Sequence, residues 1–317
     1  MSEIRTTVEV LLRSVEREVE GHDSFMRQAH QSAWRDLSRL ASTRVYSHRS
    51  AKIAVNLDWS VAARRLVEIS GKTRNFPPKQ LKLNAKVSIL DETPDSISLM
   101  HYPPFFVSYH LCNVFLAMNI SAPGSADFGG VCISSDDAPM DMEIDLAAYD
   151  YDYAWTSSRD GKWPDIRQVP LEACFDWLAP LEKRVVQVAD SDIERLLLSL
   201  LRIAQLDSSP DSVIWICSGL EALFPTSVGK AQPQLIAAIG NLLKASADQE
   251  KTLRNCLREI YRLRNAFAHG NLPVIHPYSN ERIDGRVDNE YGRYVAVHLD
   301  GVRLLLACVQ QMVLKHV

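Results

Sequence analysis

Two periods of apolar residues run along this chain. Leu81, Leu83, Ala85, Val87 and Ile89 alternate with mostly polar neighbours, which predicts a half-buried strand between about Lys79 and Ser98. Asp91-Glu-Thr-Pro-Asp95 then has the composition of a hairpin turn leading into Ser96–Met100. Residues from about 3 to 70 are predicted as helices instead. Val8, Leu11, Leu12 and Val15 mark one amphipathic face, Trp34, Leu37 and Leu40 a second, with breaks near Gly21 and Gly71. The run from Phe105 to Ile120 is too short to span a membrane and carries His110 and Asn113, so it predicts a buried helix or strand pair. In the last third the pattern is helical, over Asp192 to about Leu206, Ser212–Phe224, Gln234–Leu243, Asp248–His269 and Val297–Val317. Asp207-Ser-Ser-Pro-Asp211 and Pro225-Thr-Ser separate three of these, and about Asn271 to Tyr294 is expected to be a long loop.

The expected fold is mainly α, with a smaller α+β N-terminal region of residues 1–185 and a helical bundle over 186–317. Ala179-Pro180, ahead of a charged helix start, supports a boundary between 180 and 190. A net charge of −4 argues against a protein that coats nucleic acid indiscriminately, while leaving room for a local basic groove. The six cysteines are scattered without a C-x-x-C pair, as expected of reduced core thiols in a cytoplasmic protein. The polar start Met1-Ser-Glu-Ile-Arg5 lacks a signal-peptide core. Between about Ser121 and Trp163 the chain is turn-rich and acidic. Asp136, Asp137, Asp141, Glu143, Asp145, Asp150 and Asp152 fit no EF-hand spacing, so a solvated acidic edge is expected rather than a metal site.

Chemistry concentrates at the end of the helix from Asp248 to His269. Leu253, Leu257 and Ile260 share one face, and Arg264 projects almost in line with them, so a charge is expected near the apolar seam. Glu221, inside the apolar Leu220–Phe224 segment, is a candidate partner for it, and Tyr261 could stack on it or orient it. His269 ends the helix before Gly270, and Asn265 lies four residues earlier on a neighbouring flank. Arg258 and Arg262 extend that flank with positive charge suited to a phosphodiester backbone.

The string Arg264-Asn265-x-x-x-His269-Gly270 resembles the Arg-x(4–6)-His signature of HEPN domains. Ser218-Gly-Leu-Glu-Ala-Leu-Phe224 is similar to the helix of their Apea-like branch. The resemblance covers roughly the last 130 residues. It implies a HEPN-type bundle that dimerises so that two Arg–His pairs meet in a groove, and a metal-independent endoribonuclease without cofactors. His269 would then move protons around a ribose 2′-hydroxyl, Arg264 would stabilise charge on the phosphorane oxygens, and Asn265 would hold the histidine or a phosphate in register. Arg258, Tyr261 and Arg262 would bind RNA, with Glu221 supporting. Family association also implies a bacterial toxin or antiphage defence effector, with residues 1–185 as a sensor, regulator or substrate-selection domain and a regulatory protein or phage-derived trigger as a further partner. The final helix, with Val302, Leu305, Leu306, Val309 and Val313, is one candidate dimer surface, and it could equally be spent inside the bundle. The competing expectation is a noncatalytic HEPN-type interaction or RNA-binding module, with Arg264 paired internally and His269 capping its helix.

Other chemistry has little support. The chain has no G-x-x-x-x-G-K-[ST], no Rossmann glycine set, no H-E-x-x-H and no G-x-S-x-G elbow.

Overall fold

The computed structural model describes residues 2–12, 24–40, 42–49, 51–63, 81–91, 99, 101–136, 141–205, 212–227, 229–273, 275–276 and 282–316. Its contacts divide the chain into two compact units: residues 1–152, 167–188 and 313–317 form the first, residues 153–166 and 189–312 the second. The molecule is mainly helical, and its described strands all lie in the N-terminal half.

In the first unit, six antiparallel strands form one sheet in the order β2-β3-β4-β1-β5-β6. They are β1 (Ser2–Leu12), β2 (Thr43–His48), β3 (Ala51–Leu57), β4 (Leu81–Asp91), β5 (Phe128–Ser134) and β6 (Met142–Leu146). The strand expected from the alternation at Leu81–Ile89 is β4, and all five of those side chains are buried. Its proposed hairpin turn and return strand at 91–100 fall largely outside the described residues.

The helices expected between residues 3 and 70 are replaced in large part by strands. β1 pairs with β4 along its whole length, from Ser2↔Asp91 to Leu12↔Leu81, and Thr6, Val8 and Val10 are buried on one face. Val8, Leu11 and Leu12 satisfy helical spacing by coincidence. The period-two pattern of Thr6, Val8 and Val10 decides the element, because a sheet partner waits on each side of β1. β3 likewise buries Ala51, Ile53, Val55 and Leu57. The helix α1 (Ser24–Leu40) does form, burying Met26, Ala29, Ala33, Trp34 and Leu37.

The apolar run becomes α2 (Pro103–Ser121), which is buried nearly all round its circumference. It lies on the sheet and also contacts α1 and α4 (Leu171–Leu178), so a two-sided environment replaces the usual amphipathic pattern. Three polar groups on or beside it are met locally. Asn119 Nδ2 donates to the carbonyls of Phe115 and Ala126, Ser121 Oγ to that of Val169, and Trp34 Nε1 to that of Ser125. The acidic segment supplies an outward face for the edge strand β6, where Glu143 and Asp145 are exposed, whereas Asp150 and Asp152 are buried on α3 (Tyr149–Arg159). Charged outward positions on an edge strand discourage further strand pairing. The short helix α5 (Pro180–Lys183) ends this region.

The second unit contains α6 (Asp192–Gln205), α7 (Ser212–Leu223), α8 (Ala231–Leu243), α9 (Ala247–Ala268) and most of α10 (Arg286–His316). Four of these match the expected helices within a few residues. The fifth starts eleven residues earlier than Val297, so helix occupies the last nine residues of the expected loop. Asp284 anchors that start, its carboxylate accepting from the backbone and side chain of Arg286. Val302, Leu305, Leu306, Val309 and Val313 are all fully buried, so the final helix spends this surface inside the fold and cannot also offer it to a second copy. α7 and α10 approach closely. A Cβ on Gly301 would lie 2.9 Å from Ile216, and one on Gly219 3.0 Å from Leu305. Among the described helices α10 is long and apolar enough to cross a membrane, and most of that stretch is buried inside the fold.

Candidate functional site at the C-terminal end of α9

α9 begins with a capping box: Ser246 Oγ accepts from Gln249 N, while Gln249 Oε1 accepts from Ser246 N. It buries Leu253, Leu257, Ile260 and Leu263. The steps of four, three and three make the buried stripe turn around the helix as it advances. Arg264 projects close to Leu253 and Leu257 in a helical wheel, yet it is exposed, because Leu263 takes the buried position in the last turns. The expectation of a charge in the apolar seam is therefore corrected. Arg264 sits at the surface, and its Nη1 donates to Asn265 Oδ1 at 3.0 Å.

Glu221 is engaged by Tyr261, not by a hydrogen bond from Arg264. The Tyr261 hydroxyl donates to Glu221 Oε1 at 2.7 Å, joining α9 to α7. Burial, reinforced by this bond to a carboxylate, raises the Tyr261 pKa well above the usual phenol range, so it remains a donor at all physiological pH values. Cys217 lies nearby, its thiol pushed up to about 12, first by burial and then by the charge of Glu221. Such a thiol is a packed core group and not a nucleophile.

The basic flank is present and solvent-facing. Arg258 and Arg262 are exposed and gather round Glu259: Arg262 Nη2 lies 2.8 Å from Oε2, and Arg258 Nε 3.7 Å from Oε1. The Arg262 hydrogen bond is the main cause that holds the Glu259 carboxyl below its ordinary range. At the helix end, His269 is the C-cap residue, its backbone N–H donating to the carbonyl of Asn265, while the Gly270 N–H donates to that of Phe267. Gly270 follows at φ +67°, the left-handed conformation that closes many helices. The His269 side chain is exposed and makes no hydrogen bond among the described residues.

Arg264, Asn265 and His269 thus share one exposed helix end, while Tyr261 and Glu221 form a strut beneath it. The structure alters one assignment: Asn265 Oδ1 holds the arginine, not the histidine. Reading the sequence also passed over Arg303. This guanidinium is only 5% exposed and is fixed by three bonds, from Nη2 to Asp300 Oδ1 at 2.6 Å, Nη1 to Ser157 Oγ at 3.1 Å and Nε to the Trp163 carbonyl at 3.2 Å. Its signal was a lone arginine within Gly301-Val302-Arg303-Leu304-Leu305-Leu306. Among the described residues, no three His, Cys, Asp or Glu side chains gather closely enough to hold a metal ion, and the six cysteines are free thiols. Comparison with family models, with curated proteins and with solved structures finds no match.

Proposed function

We propose that this protein is a HEPN-type endoribonuclease whose reaction is run by His269 and Arg264 and requires no metal. The observation that carries the proposal is the exposure of both groups at one helix end, with Asn265 fixing the arginine and His269 left unengaged. An imidazole carries one nitrogen that can take a proton and can return it. It would accept the proton of a ribose 2′-hydroxyl as that oxygen attacks the adjacent phosphorus. A second imidazole, from another copy of the chain, would protonate the leaving 5′-oxygen and leave a cyclic phosphate. Arg264 offers a planar fork of donors to the phosphorane oxygens, and its bond to Asn265 uses only one of them. Arg258 and Arg262 lie on the same helix to receive flanking phosphates, although each must first loosen its pairing with Glu259. DNA lacks the attacking hydroxyl and would not be cut. The toxin or defence role, and regulation of the bundle by residues 1–185, belong to the same proposal and rest on the family resemblance.

The test is incubation of the full chain with total RNA and with single-stranded DNA in EDTA, followed by analysis of fragment ends. RNA-only cutting with cyclic phosphate ends, lost in His269→Ala and in Arg264→Ala, is the expected result. Cleavage that persists unchanged in both variants would end the proposal. Intact RNA throughout would favour the noncatalytic HEPN-type binding module.

A further inference from the structure

Beside the basic flank, α9, α10 and the segment at Trp163 line a half-open cavity of about 290 Å³ within the second unit. That is just under the size at which small-molecule sites begin, about 300 Å³, and is the scale of one nucleobase. Its walls include Trp163 and Ala296, and its polar groups include Asn255, Glu259, Asp300 and Arg303. Arg303 is locked by its three bonds, which makes it a fixed support for Asp300 and not an open anion site. Asp300 spends Oδ1 on that arginine, and Oδ2 makes no hydrogen bond among the described residues. Glu259 spends Oε2 on Arg262, and its Oε1 makes no hydrogen bond among the described residues, with Arg258 Nε at 3.7 Å and the charge of Arg293 also acting on the carboxylate. The free polar positions are therefore mainly carboxylate oxygens, which can only accept.

We infer that this cavity is a binding slot for guanine, whose adjacent N1–H and N2–H donors match the free oxygens of Asp300 and Glu259. Adenine and cytosine place an acceptor beside their amino group, and uracil flanks its single N–H with two acceptors, so each would set a lone pair against a carboxylate. Trp163, Ala296 and Val297 would supply the apolar surface for the base, and Asn255, which makes no hydrogen bond among the described residues, would meet an acceptor. Arg262 and Arg258, already beside Glu259, are placed to take the phosphate of the same nucleotide. The inference deepens the ribonuclease proposal and rests on it for one source of guanine, the RNA itself. The other source is a free guanine nucleotide.

The experiment is calorimetric titration of the full-length protein with GMP, AMP, CMP and UMP. GMP should bind at least tenfold more tightly than the other three. Glu259→Gln should weaken GMP at least tenfold, and Ala296→Trp, which fills the mouth from an exposed position, should abolish binding, both with an unchanged Tm. His269→Ala should bind GMP as the wild type does, which keeps this test separate from cleavage. Equal binding of all four nucleotides, no binding at millimolar concentration, undiminished GMP binding in Ala296→Trp, or displacement of GMP by arginine ethyl ester at equal concentration would each overturn the inference. RNA cutting without GMP binding would overturn it and leave the nuclease standing; GMP binding without cutting would do the reverse. Cut sites that favour guanine in the wild type and lose that preference in Ala296→Trp would place the guanine in RNA. A GMP-dependent change in cleavage rate at unchanged sites would make it a free nucleotide.

Discussion

Two arginines in the helical unit have opposite surroundings, and the sequence pointed to the wrong one as buried. Arg264 follows an apolar stripe in α9 and is exposed, held by one neutral hydrogen bond to Asn265. Arg303 stands in the middle of α10 and is buried, held by a carboxylate, a hydroxyl and a carbonyl. The first keeps donors free for a ligand, and the second uses its donors to join Trp163 and Ser157 to α10. The molecule repeats the contrast with histidine. His110 is fully buried in the sheet unit, with Nδ1 2.7 Å from the Tyr46 hydroxyl and its ring near Trp59. Burial, aided by the Arg44 charge, lowers its pKa to about 3. His269 faces solvent. Residue type supplies the chemistry, and the surroundings decide whether it can be used.

The largest way to sharpen this contrast is acid. Folded His110 stays neutral down to about pH 3, whereas in the unfolded chain it takes a proton near 6.5. The unfolded state binds more protons between those values, so His110 contributes stability above pH 6.5 that is lost progressively as pH falls and is gone near pH 3. The loss reaches about 5 kcal/mol. Denaturant titrations from pH 7 to pH 4 should show a shallower fall for His110→Gln than for the wild type. An identical slope would break the contrast between the two histidines.

On the exposed side, Arg264→Ala and His269→Ala should each lower RNA cleavage by about a hundredfold or more while shifting stability by less than about 0.5 kcal/mol. Cleavage rates and urea midpoints measured on the same preparations check this. A large stability loss in either would mean that the end of α9 is a structural feature. Arg303→Ala should do what Arg264→Ala does not, destabilising the fold by about 2–3 kcal/mol. The figure stays below that of a sealed ion pair because Asp300 is 46% exposed and can be rehydrated. Tyr261→Phe is the mildest change. It removes the hydroxyl bonded to Glu221 and should cost about 1 kcal/mol by the same urea measurement.

Much of the helical unit was legible because its signals are local. Apolar spacing over α6 to α9, the polar breaks between them and the Gly270 terminator are properties of short windows, and the structure follows them closely. The alternation in β4 was equally local. β1 was misread because its spacing satisfied a helix as well, and the choice was made by β4 and β5, strands more than sixty residues away in sequence. At the site, the residues that meet at the end of α9 could be named from their spacing. Their bonding could not.

By itself the sequence determined a mainly helical chain, the limits of most C-terminal helices, and the placing of an arginine, an amide and an imidazole at one helix end, since each depends on neighbours within a few residues. Tertiary structure alone decided that β1 is a strand, that Leu263 rather than Arg264 enters the core, that Glu221 receives Tyr261, and that Arg303 and Asp300 stand over a cavity. These outcomes depend on which surfaces pack together, and burial is a property of the packed whole, not of spacing along one helix.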